Sequence, residues 1–305
     1  MANYKKIAVC LDLTDMDPVL IRYTTYIAHV LKAESVTFLH VVQTYDLNGE
    51  AKSNYPKLNE SIKQVVSNEL ENHIHKDSKP GFKTDLAIKF EEKDASEVIL
   101  EYIQRKKIDL TVIGKKPGEQ RKGFYAGRII RAAHSDILLV PKSAETKMDW
   151  ILTILDYSKH AKRAFRLALD MAQNTDARLT SQYIFRPPKN YFPMTQEDSD
   201  EKRKYLEKTG KKKQKKFLRK MGYPKIPISY NFETRDYTDQ ADIINEQAEK
   251  FKADLMILGA AGSVSSTATL LGNISDELHK LRSPVPVMIM KNIRDKNLWN
   301  QIFGE

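Results

Sequence analysis

Three glycines between residues 259 and 272 carry the clearest chemical signal in the sequence. Gly259 ends an apolar run, Gly262 follows after two residues, and Gly272 follows after nine more. Glycine lets the backbone turn sharply and approach a ligand without an intervening Cβ. Asn273 is a good N-cap for the helix predicted next, whose free N–H groups attract an anion. The pattern favours a phosphate-binding loop over a flexible loop with glycine at its turns, although the Walker A triplet is absent.

This loop belongs to the second of two similar halves of the chain. At an offset of 145 residues Asp109 aligns with Asp254, together with the apolar run that follows each of them. At an offset of 144 residues Asp12 aligns with Asp156. Agreement in both order and spacing indicates an internal duplication. We therefore predict a first domain at 1–142, a linker at 143–149 and a second domain at 150–305.

Short apolar runs alternate with helical patterns in both halves. In the first half they predict strands at 6–11, 35–42, 83–90, 109–113 and 137–140. In the second half they predict strands near 150–155, 178–185, 227–233, 254–258 and 285–290. Apolar residues three and four apart predict a helix over 58–74. The result is an α/β fold of two tandem five-stranded, mostly parallel sheets flanked by helices, with ligands expected beyond the first and fourth strands of a sheet.

The sequence Gly-x2-Gly-x9-Gly-polar, placed between ADLMILG and PVPVMIMK, closely resembles the universal stress protein family. The resemblance covers nearly the whole chain as two consecutive domains, and it includes the Asp-x-Ser/Thr ending of the first strand. It implies a Rossmann-like, adenine-nucleotide-binding fold, with ATP as the cofactor, with or without Mg²⁺. The residues implied at the nucleoside are Asp156 and Ile184, and those implied at the phosphates are Gly259, Gly262, Gly272, Asn273 and Ile274. The family usually has serine or threonine where Asn273 stands.

The corresponding loop of the first half departs from this pattern. Gly114 and Gly127 keep the outer spacing, but Pro117 takes the place of the middle glycine. Proline has no N–H to offer a phosphate. Arg128 replaces the polar residue expected to begin the helix. These changes predict nucleotide binding in the second half, and Asp12 suits a structural turn at least as well as a ligand.

Composition places the chain among soluble globular proteins. It has 305 residues, 41% hydrophobic and 30% charged, and no apolar run long enough to span a membrane. A single cysteine, Cys10, and the lack of a secretory signal predict a cytoplasmic protein. The seven histidines show no metal-ligand spacing, and no catalytic triad is evident. We therefore predict no metal site, no catalytic residues and at most slow ATP hydrolysis.

The expected role is that of a stress-response regulatory or protective module. The need to cover sheet edges, and the resemblance, predict that the last strands of the halves pair into an internal pseudo-dimer, and a homodimer is a further option. The lysine-rich segment 201–222 supports an alternative, a non-nucleotide module that binds nucleic acid or anionic membrane. Because no base-reading motif accompanies these lysines, the sequence alone favours a solvated helix face and disfavours nucleic acid as a partner.

Overall fold

The computed structural model describes the chain as two compact units, one centred on residues 3–146 and the other on residues 147–292. The described residues are 4–43, 58–77, 81–115, 124–155, 159–185, 196–222, 228–234, 240–259 and 284–291. None of the described helices is long and apolar enough to cross a membrane.

The first unit is a parallel sheet whose successive strands are joined through helices. Its strands are β1 Lys6–Leu11, β2 Ser35–Gln43, β3 Lys83–Glu91, β4 Leu110–Lys115 and β5 Asp136–Pro141. Its helices are α1 Asp17–Leu31, α2 Leu58–Asp77, α3 Ala95–Lys106 and α4 Phe124–Ala132. The strand order is β3-β2-β1-β4-β5, and every neighbouring pair within it is parallel.

The second unit repeats this plan. Its strands are β6 Trp150–Ile154, β7 Arg178–Phe185, β8 Ile228–Thr234, β9 Leu255–Gly259 and β10 Val287–Met290. Its described helices are α5 Lys159–Thr175, α6 Gln196–Lys220 and α7 Gln240–Lys250. The strand order is β10-β9-β6-β7-β8, again with parallel neighbours. The helix predicted to begin at Asn273 lies outside the described residues.

The predicted α/β class is confirmed, and all ten predicted strands are present with ends shifted by at most two residues. The helix predicted over 58–74 is present as α2 and extends to Asp77. The strands were readable because helices cover both faces of a parallel sheet, so that its strands are continuous apolar runs. In β1, for example, Ile7, Ala8 and Val9 are all fully buried.

The backbone repeats at the same offsets as the sequence. Lys32 and Asp176, which follow α1 and α5, are 144 residues apart and have φ values of +55° and +56°. Lys107 and Lys252, which follow α3 and α7, are 145 residues apart and have φ values of +54° and +47°. A residue in the left-handed conformation after a helix lets the last carbonyl groups of that helix accept hydrogen bonds from the N–H groups that follow. The two halves therefore end their equivalent helices in the same way.

A pair of aligned aspartates explains why the fourth strand of each half sits beside the first. Asp109 Oδ2 accepts hydrogen bonds of 2.9 Å from the N–H groups of the first residue of β1 and of the residue before it. Asp254 Oδ2 accepts bonds of 2.8 and 2.9 Å from the two equivalent N–H groups at β6. The duplicated aspartate is thus a structural clamp that sets the start of both strands.

Candidate functional site

The candidate site of the second half is the crevice at the carboxyl ends of β6 and β9. These strands are direct neighbours, with Ile151 opposite Leu255 and Thr153 opposite Ile257. From β6 the chain passes to β7 on one side of the sheet, whereas β9 and β10 lie on the other side. The strand order therefore reverses between β6 and β9, and ligands of open α/β sheets bind where the order reverses.

Two of the predicted ligand residues are described, and both lie at the carboxyl edge of the sheet. Gly259 is the last residue of β9, and Ile184 is the next-to-last residue of β7, paired with Glu233 of β8. The other predicted ligand residues, which are Asp156, Gly262, Gly272, Asn273 and Ile274, lie outside the described residues. In the sequence Asp156 comes two residues after Ile154, the last residue of β6.

A buried amide that the sequence analysis missed lies beside this crevice. Gln182 of β7 is fully buried, and its backbone carbonyl accepts a hydrogen bond of 2.8 Å from the N–H of Leu155, the residue before Asp156. Neither the nitrogen nor the oxygen of its side-chain amide has a hydrogen-bond partner among the described residues. The equivalent residue of the first half is Leu39, because Leu39 lies opposite Cys10 as Gln182 lies opposite Ile154. The feature of the sequence that could have identified this amide is a glutamine within a strand predicted to be buried.

The equivalent crevice of the first half is filled by apolar side chains. A Cβ placed on Gly114, at the end of β4, would lie 3.3 Å from Met16 Cε and 3.4 Å from Leu20 Cδ1. Met16 is the residue before α1 and Leu20 lies in the first turn of α1, and both are 2% exposed. At the offset of 144 residues, the second half has Ala164 in place of Leu20. At one of these two positions the side chain is therefore reduced to a methyl group in the second half, while the residue aligned with Met16 is His160.

The loop after β1 is closed by its own side chains. Asp17 is fully buried, and its carboxylate accepts hydrogen bonds from the N–H groups of Asp12 (3.1 Å) and Leu13 (2.9 Å). Leu13 has a φ of +58°, and the Thr14 hydroxyl donates to Asp12 Oδ1 at 2.6 Å. Burial raises the pKa of Asp17 above its usual range. Asp12 is thus engaged in a turn, and the second half has Ala161 where this turn uses Asp17.

The expected helix start at Arg128 is wrong. Helix α4 begins at Phe124, so that Gly127 and Arg128 both lie within it. The guanidinium of Arg128 forms ion pairs with Asp94 (3.4 Å) and Glu97 (2.8 Å) at the start of α3. The sequence predicted a helix start that is too late, because the three residues before Gly127 also form helix. Arg128 therefore does not begin α4 but links it to α3.

Two ionisable side chains near β1 and β4 have shifted pKa values. Burial, with the nearby charge of Asp12, raises the pKa of the Cys10 thiol to about 12, so the thiolate needed of a nucleophile is scarce at neutral pH. Burial lowers the pKa of Lys115, the last residue of β4, to about 8. Among the described residues no group of three or more histidine, cysteine or acidic side chains is placed to hold a metal ion.

Comparison with known proteins gives a consistent result. The family model described as "Universal stress protein family" matches residues 3–141 and again residues 148–291. A universal stress protein from Archaeoglobus fulgidus DSM 4304 is similar in structure, with a TM-score of 0.62, 15% identity, and coverage of 97% of this chain and 100% of that chain. A functionally unknown protein from Pseudomonas aeruginosa PAO1 gives a TM-score of 0.63 at 13% identity, covering 96% and 94%. No curated protein sequence gives a significant match.

Proposed function

Because the chain belongs to the universal stress protein family, with two consecutive copies of its domain, we propose that it binds ATP in its second half. The difference between the two crevices carries this proposal. In the first half Met16 and Leu20 cover the end of β4, and Asp17 closes the loop after β1. The second half has alanine at the positions of Leu20 and Asp17.

The proposed site uses the residues of the sequence pattern. Asp156 and Ile184 contact the nucleoside, and Gly259, Gly262 and Gly272 form the loop around the phosphates. Asn273 and Ile274 contribute the free N–H groups of a helix start, which favour an anion. The proposed cofactor is ATP, with or without Mg²⁺. Each of these roles is a proposal that rests on the resemblance and on the position of Gly259 at the strand switch point.

The amide of Gln182 adds support from this chain's own chemistry. A buried polar side chain without a hydrogen bond costs about 1–3 kcal/mol, so a partner outside the described residues is favoured. Since Gln182 pairs through its backbone with the residue before Asp156, a bound nucleoside is a suitable partner. The first half has an apolar Leu39 at this position and gains nothing from a polar ligand there.

We further propose that the protein acts in the cytoplasm as a regulatory or protective module and not as an enzyme, with hydrolysis slow at most. Hydrolysis needs a positioned water, a base and usually a metal, and the pattern supplies only Asp156. A steady-state ATPase rate typical of dedicated enzymes, lost in Asp156→Ala, would contradict this part of the proposal. The domain boundaries, the pairing of the halves and a homodimer stay predictions.

Calorimetric titration of the full chain with ATP tests the proposal. We expect one ATP per chain, affinity weakened about tenfold or more by Asp156→Ala, and affinity within about twofold of the natural chain in Asp12→Ala. The two substitutions form a matched pair because Asp12 and Asp156 align, while only Asp12 has a described place in a turn. Two bound nucleotides per chain, or equal weakening by both substitutions, would overturn the assignment to the second half.

A further inference from the structure

Helix α6 presents a basic face that the nucleotide proposal leaves unused. We propose that this face binds the phosphate backbone of a single-stranded nucleic acid. The face is defined by five exposed lysines on one side of the helix, which are Lys204, Lys208, Lys211, Lys212 and Lys215. Together with Glu207 they line an open groove of about 420 Å³.

The charge of the protein is concentrated in this segment. Residues 201–222 contain eleven lysines and arginines and two glutamates, which gives +9 of the chain's formal net charge of +10. The remainder of the chain is therefore nearly neutral. A general solubilising charge would be spread over the surface, whereas a local excess attracts a polyanion to one place.

The lysines of the basic face are not neutralised by the protein. Within the part of the chain that the structure describes, no ion pair or hydrogen bond reaches the side chains of these five lysines. Like charges four residues apart on a helix, such as Lys204 with Lys208 and Lys211 with Lys215, repel each other. A bound polyanion relieves this repulsion. Elsewhere in the protein, lysines such as Lys5 and Lys93 form ion pairs with a carboxylate of the protein itself.

The helix is anchored on the side away from the basic face. Phe217 and Gly210 are buried, and the Phe217 ring meets the Phe165 ring of α5 edge to face with 5.3 Å between centroids. These residues lie on the opposite side of the helical wheel from Lys204, Lys208 and Lys215, at 100° per residue. Packing of the apolar side thus leaves the lysines free to face a ligand.

The spacing of the lysines fits one strand of nucleic acid. Eleven residues separate Lys204 from Lys215, which is roughly 16 Å along a helix. A strand that keeps the stacked geometry of a duplex advances about 3.4 Å along the helix axis for each phosphate, so a stacked strand places roughly five phosphates along this length. The five ammonium groups therefore equal in number the phosphates of a stacked strand over this length.

A single strand fits better than a membrane surface. Besides Tyr205, which is 68% exposed, no large apolar side chain of α6 is exposed among its described residues. A helix that inserts into a membrane interface needs a continuous apolar face, and the described side chains beside these lysines do not form one. An exposed tyrosine at the margin of a basic strip instead offers a surface on which an unpaired base stacks.

Fluorescence anisotropy with the full chain tests the proposal. The probes are a labelled 20-nucleotide single-stranded RNA, the same sequence as single-stranded DNA and as duplex, and vesicles with and without phosphatidylserine. The test variant carries lysine to glutamine at the five positions of the basic face. A charge-matched control carries lysine to glutamine at five exposed lysines elsewhere, which are Lys63, Lys76, Lys83, Lys106 and Lys250.

We expect the test variant to bind single-stranded probe about tenfold or more weakly, the control to change by less than about twofold, and an arginine variant at the same five positions to keep its affinity. The logarithmic salt dependence should fall by about 3.5, since each phosphate contact of a single strand contributes about 0.7. Equal losses in test and control variants, or binding to phosphatidylserine vesicles without binding to oligonucleotides, would overturn the proposal. Failure of the arginine variant to bind would also count against it, because charge would then not be the cause.

Discussion

The two halves share a scaffold and differ in the crevice that the scaffold creates. In both, the fourth strand lies beside the first, and an aligned aspartate, Asp109 or Asp254, clamps the start of the first strand. At the other end of the strands the halves diverge. The first half fills its crevice with Met16 and Leu20, whereas the second half has Ala164 at the position of Leu20.

This difference separates the residues that determine the fold from those that determine the candidate site. The aspartate clamps join the start of the fourth strand to the start of the first, and both copies keep them. Met16 and Leu20 lie outside the strands, so replacing them need not change the strand pairing. The buried apolar side chains of Met16 and Leu20 make the first crevice part of the hydrophobic core, which stabilises the first unit directly.

Leu20→Ala gives the largest effect expected from this comparison. It should lower the free energy of unfolding of the first half by about 2–5 kcal/mol, because a buried leucine is replaced by a methyl group and a cavity. Urea unfolding followed by circular dichroism measures the loss, and hydrogen exchange assigns it to strands β1 and β4. The control Leu20→Met keeps the volume and should cost less than about 1.5 kcal/mol. A loss of the same size in both variants would show that shape, and not filled volume, matters here.

Replacing an aligned pair of glycines sharpens the contrast between the loops. Gly272→Val should weaken ATP binding about thirtyfold, or about 2 kcal/mol, because a branched side chain would stand where the backbone approaches the phosphates. Its equivalent, Gly127→Val, should leave ATP affinity unchanged, since a Cβ on Gly127 meets nothing within 4 Å. Titration of both variants with ATP is the measurement. A larger loss of ATP affinity in Gly127→Val than in Gly272→Val would instead indicate that the nucleotide binds in the first half.

The aspartate clamps should cost the same in either half. Asp109→Ala and Asp254→Ala each leave two backbone N–H groups without their carboxylate acceptor, and we expect each to lower stability by about 1–2 kcal/mol. Hydrogen exchange at the starts of β1 and β6 follows each loss separately. ATP affinity should be unaffected by Asp109→Ala. A loss of stability in only one of the two variants would show that the halves depend on their aspartates to different extents, although the hydrogen bonds are equivalent.

The strands were predictable from the sequence, while the contents of the crevices were not. Buried parallel strands are continuous apolar runs, and the duplication gave two independent readings of each strand. Packing over Gly114 could not be read, because Met16 and Leu20 are ordinary residues of an apolar helix face until the sheet is placed beneath them. The start of α4 was placed too late because a glycine within a helix resembles a glycine before one.

The left-handed residues that follow four helices show how long such a duplication lasts. Lys32 and Asp176 have opposite charges, yet their φ values differ by 1°. At these positions the backbone conformation is the same in both halves although the side chains differ. The fold is likewise kept beyond this chain, since a protein at 15% identity is similar in structure over 97% of this chain. The duplication is therefore visible in the backbone dihedral angles even at positions where the residue types of the two halves no longer match.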